Sequence, residues 1–333
     1  MSFFAILCAL LIEQVRPLGY HNPVYAGVLG WTRWVSRNFD AGKPQHGWVA
    51  WSLAVLLPTA LALAVHWLLI ATLGLPFAVI WNIAMLYVTL GFRQFSHHFT
   101  GIRDALAEGD EPLARSLLAH WQHIEAHDLP RSEIVRHVIE HSVIAAHRHV
   151  FGVLAWYSIL AAVGLGPAGA VFYRMSEFVA RYWARKDARA RQPASPHVRA
   201  TSVRIWEAID WLPARFTALG FAVVGSFEDA IDCWRNDAHR FADGNDGVIL
   251  AATSGAVGVR LGGGALRSTP VVDSLQSAQA GDSLMSALPP DSGSTPGIEP
   301  QPAHLRSVVG LVWRSVVMWL VLLALLTMAR LLG

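Results

Sequence analysis

Long apolar stretches, broken by short glycine and proline signals, set the pattern of this chain. Trp51 to Thr72 carries no formal charge and contains Pro58 and His66, both tolerable in a packed membrane helix. Gly74–Leu75–Pro76 then breaks the run, and Phe77 to Phe92 is apolar again. The two runs predict a helical hairpin. A span needs about 20 apolar residues, so the second arm is slightly short. Val150 to Phe172 is a third uncharged run, interrupted by Gly164–Leu165–Gly166–Pro167. It fits either one span or a re-entrant hairpin. Val308 to Met328 is a fourth, with Arg314 near its start; that Arg could snorkel or face a protein partner. Phe3 to Ile12 is apolar but short. No basic residues precede it and no small-residue cleavage site follows, so it reads as a retained segment, not a cleaved signal. Phe216–Gly225 and Val248–Val259 fit buried helices or short membrane insertions equally well.

Between these runs lie polar segments. In Arg93–His149, Ala105, Leu106, Leu113, Leu117 and Leu118 line one helix side, with Pro112 near a helix start. Asp128–Leu129–Pro130–Arg131 breaks the pattern, and Ile134, Val135, Val138 and Ile139 begin another amphipathic helix. Arg185–Thr201 reads as a flexible basic loop. Gly262–His304 is rich in Gly, Ser, Pro and Asp, a composition that buries too little apolar area to offset its ordering entropy. The domain reading is a membrane domain over 1–263, a disordered linker over 264–305 and a C-terminal transmembrane helix over 306–333.

Composition agrees with a chain that meets lipid. Hydrophobic residues make up 53% and charged residues 15% of 333, against roughly 25% charge in soluble domains. Fourteen Trp suit membrane–water boundaries. The net charge of +2 gives no footprint for nucleic acid. Two distant cysteines, Cys8 and Cys233, do not make a disulfide framework. Arg174, Arg181, Arg185, Lys186, Arg189, Arg191, Arg199 and Arg204 are opposed only by Glu177 and Asp187, which assigns that segment to the cytoplasmic side.

Candidate chemistry is scattered. His137–Val138–Ile139–Glu140–His141 fits H-x-x-E-H, in which two His share a helix face around Zn²⁺ with the Glu as base. The bland alternative is a polar helix face in a segment holding most of the chain's 15 His. Asp104, Glu108, Asp110 and Glu111 could hold Mg²⁺, but acids at a helix end need no metal. Gly255–Ala256–Val257–Gly258–Val259–Arg260–Leu261–Gly262–Gly263–Gly264 could cradle a phosphate, with Arg260 binding it bidentately; it could equally be close helix packing before a linker. Arg215 could pair with Glu207 or Asp210, as an anion site or a structural ion pair.

The order of these motifs resembles the CobD/CbiB family of cobalamin-biosynthesis membrane proteins, with its AmpE branch. The carriers are His21–Asn22–Pro23–Val24 with Gly27, then Ala105–Leu106, Gly109–Asp110 and Ala114–Arg115, and Ile139–Glu140. Gly166–Pro167–Ala168–Gly169 with Tyr173–Arg174, then Pro213–Ala214–Arg215, follow. Asn245, Gly247 and Gly258–Val259–Arg260–Leu261–Gly262–Gly263 close the series.

The resemblance implies attachment of aminopropanol or its phosphate to adenosylcobyric acid through an amide bond. It implies Glu140 as base or metal ligand, Asn245 positioning substrate, and Arg215 and Arg260, with Glu207, binding it; ATP and Mg²⁺ are implied if the chain is an enzyme. Family enzymes carry acids and amides where this chain has Ile144, Ala145, Arg148, Met175–Ser176–Glu177–Phe178 and Asp210, and their early acid followed by Gly-Asp-Pro becomes Glu13 and Pro17–Leu18–Gly19. Asp210–Trp211–Leu212–Pro213 and His147–Arg148 resemble the AmpE branch, which implies a non-catalytic role in β-lactamase regulation or cell-wall sensing. The expectation is an all-α, polytopic protein of the bacterial inner membrane with about four spanning or re-entrant helices. Its expected partners are the bilayer, a corrinoid, and a protein at the Arg314 helix.

Overall fold

The computed structural model describes residues 2–16, 23–122, 126–184, 194–242, 244–263 and 293–332. Among them the regular structure is helical, and β-pairing is confined to isolated bridges. The helices are α1 (Ser2–Val15), α2 (Pro23–Phe39), α3 (Pro44–Thr72), α4 (Leu75–Thr89), α5 (Phe92–Glu108), α6 (Glu111–Gln122), α7 (Arg131–Ala146), α8 (Gly152–Ala162), α9 (Ala168–Ala184), α10 (Pro196–Val224), α11 (Phe227–Asp237), α12 (Gly244–Val257) and α13 (Pro302–Leu332). His21–Asn22, Pro17–Leu18–Gly19, His123, the basic stretch 185–193 and most of the expected linker, 264–292, lie outside the described residues.

Local chemistry explains the helix ends. Extended Lys43 precedes Pro44, where a missing N–H costs nothing. The next helix follows Gly74, at φ +88°. Asp110 Oδ1 accepts the Leu113 N–H at 2.9 Å, an N-cap for α6. A π-helical turn, His147–Phe151, joins α7 to α8, so that Arg131–Ala162 forms one long helical stretch. Pro44–Thr72, Arg131–Ala162 and Pro302–Ala329 are each long and apolar enough to cross a membrane; α1 and α4 are shorter apolar helices. On α3, Leu56, Leu57, Leu61 and Leu68 are exposed, as are Val317, Val321, Leu325 and Leu326 on α13. Such rows suit contact with lipid tails.

The chain divides into two compact units. The first comprises Met1–Ser96, Ala145–Thr217 and Val316–Gly333. In it α4 packs on α1, α3 and α9, and α8 packs on α9. The Val150–Phe172 run is therefore two helices folded against each other: α8 stops at Ala162, and α9 starts at Ala168 after Gly164 and Gly166 turn the chain with positive φ. Their contact is close, since a Cβ on Gly169 would sit 2.0 Å from the Trp156 carbonyl oxygen.

The second unit comprises His97–Ile144 and Ala218–Ser315. Ile102, Leu106, Leu118, Ile134, Val135, Val138 and Ile139 are buried, while Leu113 is exposed. Ala218, Val248 and Ala252 form a core with Trp234 and Ala238, so Val248–Val257 is buried helix. Residues 293–301 lie along the Gly258–Gly263 segment. Arg260 N–H donates to Ile298 O (2.9 Å), Ile298 N–H to Gly258 O (3.0 Å) and Thr295 N–H to Leu261 O (2.8 Å).

Candidate functional site

In the second unit, Glu140 sits on the third turn of α7. Arg136, one turn earlier, has a side chain only 5% exposed and lies between two carboxylates. Its Nη1 donates to Glu140 Oε1 at 3.0 Å, and its Nε and Nη2 donate to Glu133. The i, i+3 and i, i+4 spacing places all three on one helix face. Glu140 Oε1 also accepts the Gly262 backbone N–H at 2.7 Å. Gly262 has φ +78° and a neighbouring carbonyl, Gly293 O, 2.5 Å from where a Cβ would stand. Only glycine satisfies both conditions. One carboxylate thus ties α7 to the Gly258–Gly263 segment. Arg260, two residues back, is exposed and has no ion pair among the described residues. Asn245 is buried in the first turn of α12.

The H-x-x-E-H histidines have other contacts. His137 Nε2 is 3.1 Å from Arg136 Nη2, and the His141 ring meets Trp121 edge-on at 4.5 Å. Asp104 pairs with Arg103, Glu111 with Arg115, and Asp110 caps α6. Among the described residues no three His, Cys, Asp or Glu are grouped to hold a metal ion.

In the first unit a second set of polar side chains is fully buried. His147, on the π-helical turn, is 2.9 Å from Asp210 Oδ1 through Nε2 and 2.8 Å from Thr217 Oγ1 through Nδ1. Tyr173 donates to the same Asp210 oxygen at 2.7 Å. Glu177, also fully buried, pairs with Arg174 and Arg181. Burial pushes the Asp210 carboxyl up, but His147 and the Tyr173 hydroxyl outweigh it and hold it below its ordinary range. Burial likewise raises Glu177, and Arg181, Arg174 and Arg148 together bring it down. Tyr173 is pushed well up by burial and by Asp210.

Arg215 donates from Nη1 to the Trp211 carbonyl at 2.8 Å and stacks over the Trp211 ring at 4.2 Å. Glu207 is exposed beside Arg199 and Arg204 along an open groove. Arg314 is exposed, with Nε donating to Gly310 O of its own helix. The structure brings Glu140 and the Gly258–Gly263 segment together, and it places Arg215 and Glu207 in the other unit. Arg136 and Thr217 carry no sequence motif, and Tyr173 enters the sequence reading only as part of the family resemblance. The Glu133–Arg136–Glu140 spacing was a local signal for the first; the others are joined only by tertiary folding.

Three helices long and apolar enough to span a bilayer, in a chain whose described regular structure is helical, define an all-α protein of membrane type. The chain belongs to the CobD/Cbib protein family, whose pattern it matches over residues 3–286. A protein of Stutzerimonas stutzeri named "Cobalamin biosynthesis protein CobD" is 29% identical over 96% of both chains. A protein of the same name from Chromobacterium violaceum is 33% identical over 56% of this chain and 57% of its own. One from Leptospira interrogans is 27% identical over 55% of this chain and 56% of its own. No solved structure matches.

Proposed function

We propose that this chain, as a multi-pass protein of the bacterial inner membrane, catalyses the amide-forming step of cobalamin biosynthesis that joins aminopropanol or its phosphate to adenosylcobyric acid. The observation that carries the reading is the Glu140–Gly262 hydrogen bond. It fixes the Gly258–Gly263 segment while leaving Arg260 exposed on it. A planar guanidinium on a fixed backbone suits a phosphate or carboxylate.

In the reaction the amine nitrogen attacks an activated carboxyl carbon, the activating group leaves, and the nitrogen loses a proton. Arg260 binds the anionic group of one substrate. Glu140 holds the segment that carries Arg260; with Arg136 and the Gly262 N–H already on its oxygens, it suits positioning better than proton transfer. Asn245, in the same unit, is assigned substrate positioning. No step is assigned to a resident metal; nucleotide and Mg²⁺ enter as reagents.

The test is to supply adenosylcobyric acid, aminopropanol phosphate, ATP and Mg²⁺ to the purified, solubilised protein and weigh the product. Amide product supports the reading. Its absence, with a family enzyme active in parallel, overturns it in favour of the non-catalytic, AmpE-like role. Glu140→Gln separates the two roles for Glu140. Gln still accepts the Gly262 N–H, so a positioning role predicts more residual activity than in Glu140→Ala. A proton-acceptor role predicts equal loss in both.

A further inference from the structure

Three helices of the first unit each carry one buried polar side chain to the wall of a single cavity. They are His66 of α3, Asn82 of α4 and Tyr157 of α8. The cavity measures about 140 Å³, close to an engineered apolar cavity of about 150 Å³ that takes benzene. The rest of its wall is aliphatic side chain and glycine, with no Asp, Glu, Lys or Arg.

The hydrogen bonds fix which atoms face outward. Asn82 Nδ2 is 2.7 Å from Ala78 O, so the NH₂ group must lie on that side; the flipped amide would set two oxygens together. The same NH₂ then donates to His66 Nδ1 at 3.2 Å, and Oδ1 accepts from the Tyr157 hydroxyl at 3.3 Å. With Nδ1 an acceptor, neutral His66 carries its proton on Nε2. Among the described residues that N–H has no acceptor. Gly166 (φ +53°) lies against one side of the ring, where a Cβ would be 2.5 Å from Cδ2, so the turn blocks the imidazole on that side. On the cavity wall a ligand or water can accept that proton, and ionisable side chains on membrane helices mark functional sites by default.

We infer that this cavity binds a compact, uncharged molecule of roughly benzene size, whose single hydrogen-bond acceptor takes the His66 Nε2–H. A charged ligand is disfavoured because the wall offers no counter-charge. This site is independent of the proposed amide-forming step.

The test uses the full chain in micelles with ¹⁵N-labelled histidine and two probes of matched size, cyclohexanone and cyclohexane. His66→Phe assigns the imidazole signal. The inference expects an Nε2–H tautomer and a saturable shift of that signal with cyclohexanone. Cyclohexane should bind about five- to tenfold more weakly, the worth of one net hydrogen bond. Ala161→Phe fills the cavity and should abolish the response; if it fails to fold, Val79→Phe fills it from α4. An Nδ1–H tautomer, a non-saturable shift or a response surviving in the filled variant overturns the inference. So does equal affinity for both probes, as expected of a site for lipid tails, or solvent exchange without probe binding, as expected of a cavity holding water only.

Discussion

At the scale of single residues, the buried acids of the first unit set the protein's response to acid. Asp210 and Glu177 have carboxyls held below their ordinary values of 3.8 and 4.5. A group depressed on folding adds stability that is complete above its unfolded value and lost as pH falls through its folded one. Stability should thus be flat above about pH 5 and fall progressively below about pH 4. Thermal unfolding in detergent across that range measures it. Asp210→Asn should flatten the acid limb, and an unchanged limb would dissociate Asp210 from it. Tyr173→Phe removes one hydrogen bond to a buried charge and should cost about 1.5–3 kcal/mol; Tyr25→Phe, on a half-exposed ring, serves as control. Part of this network is legible in the sequence: Asp210 departs from the enzyme pattern, and His147–Arg148 resembles the AmpE branch. Their pairing across 63 positions is not, because neither residue carries a local mark of its partner. Glu140 is marked in the sequence by H-x-x-E-H and by the Ile139–Glu140 element, whereas its neighbours one turn away decide its chemistry.

At the scale of elements, uncharged length revealed α3 and α13 at once, because a spanning helix needs little else. It could not decide the Val150–Phe172 run, since hydropathy is blind to a turn made of Gly and Pro. What decides that run is contact. Gly169 lies against the Trp156 carbonyl, and backbone cannot move aside as a flexible side chain can. Gly169→Val should therefore separate α8 from α9, destabilising the protein by about 3 kcal/mol or more, at or above the upper end of overpacking costs. Gly30 on α2 meets nothing within 4 Å. There Gly30→Ala should be neutral or stabilising, by up to about 1 kcal/mol from helix propensity. Melting temperatures of the two variants test the contrast, and equal losses would show that crowding is not the cause.

For the whole molecule, the question is what the Gly-, Ser- and Pro-rich stretch does for the chain around it. Composition predicts a linker over 264–305, of which 264–292 lies outside the described residues. Past the latter, residues 293–301 rejoin the second unit. Besides the backbone bonds to Gly258–Leu261, the Thr295 hydroxyl accepts the Leu261 N–H at 2.8 Å and lies 2.6 Å from Ser254 Oγ. Thr295 is only 2% exposed, so these bonds are shielded from water, where each counts for more. The two sides of the linker therefore belong to one folded unit, and continuity of the chain between them adds only a loop-closure term that varies slowly with length. A protease site placed within 264–292 should, once cut, leave two fragments that stay together through purification in detergent. Thr295→Val removes the hydroxyl but keeps the shape. In the cut protein it should speed hydrogen exchange at the Leu261 and Thr295 amides, while α13, with Leu305, Leu311 and Val316 buried, keeps the fragments together; in the uncut protein the effect should be smaller, because the intact chain holds the ends at high effective concentration. Unchanged exchange in the cut variant would show that the Thr295 hydroxyl does not hold the 293–301 segment in place.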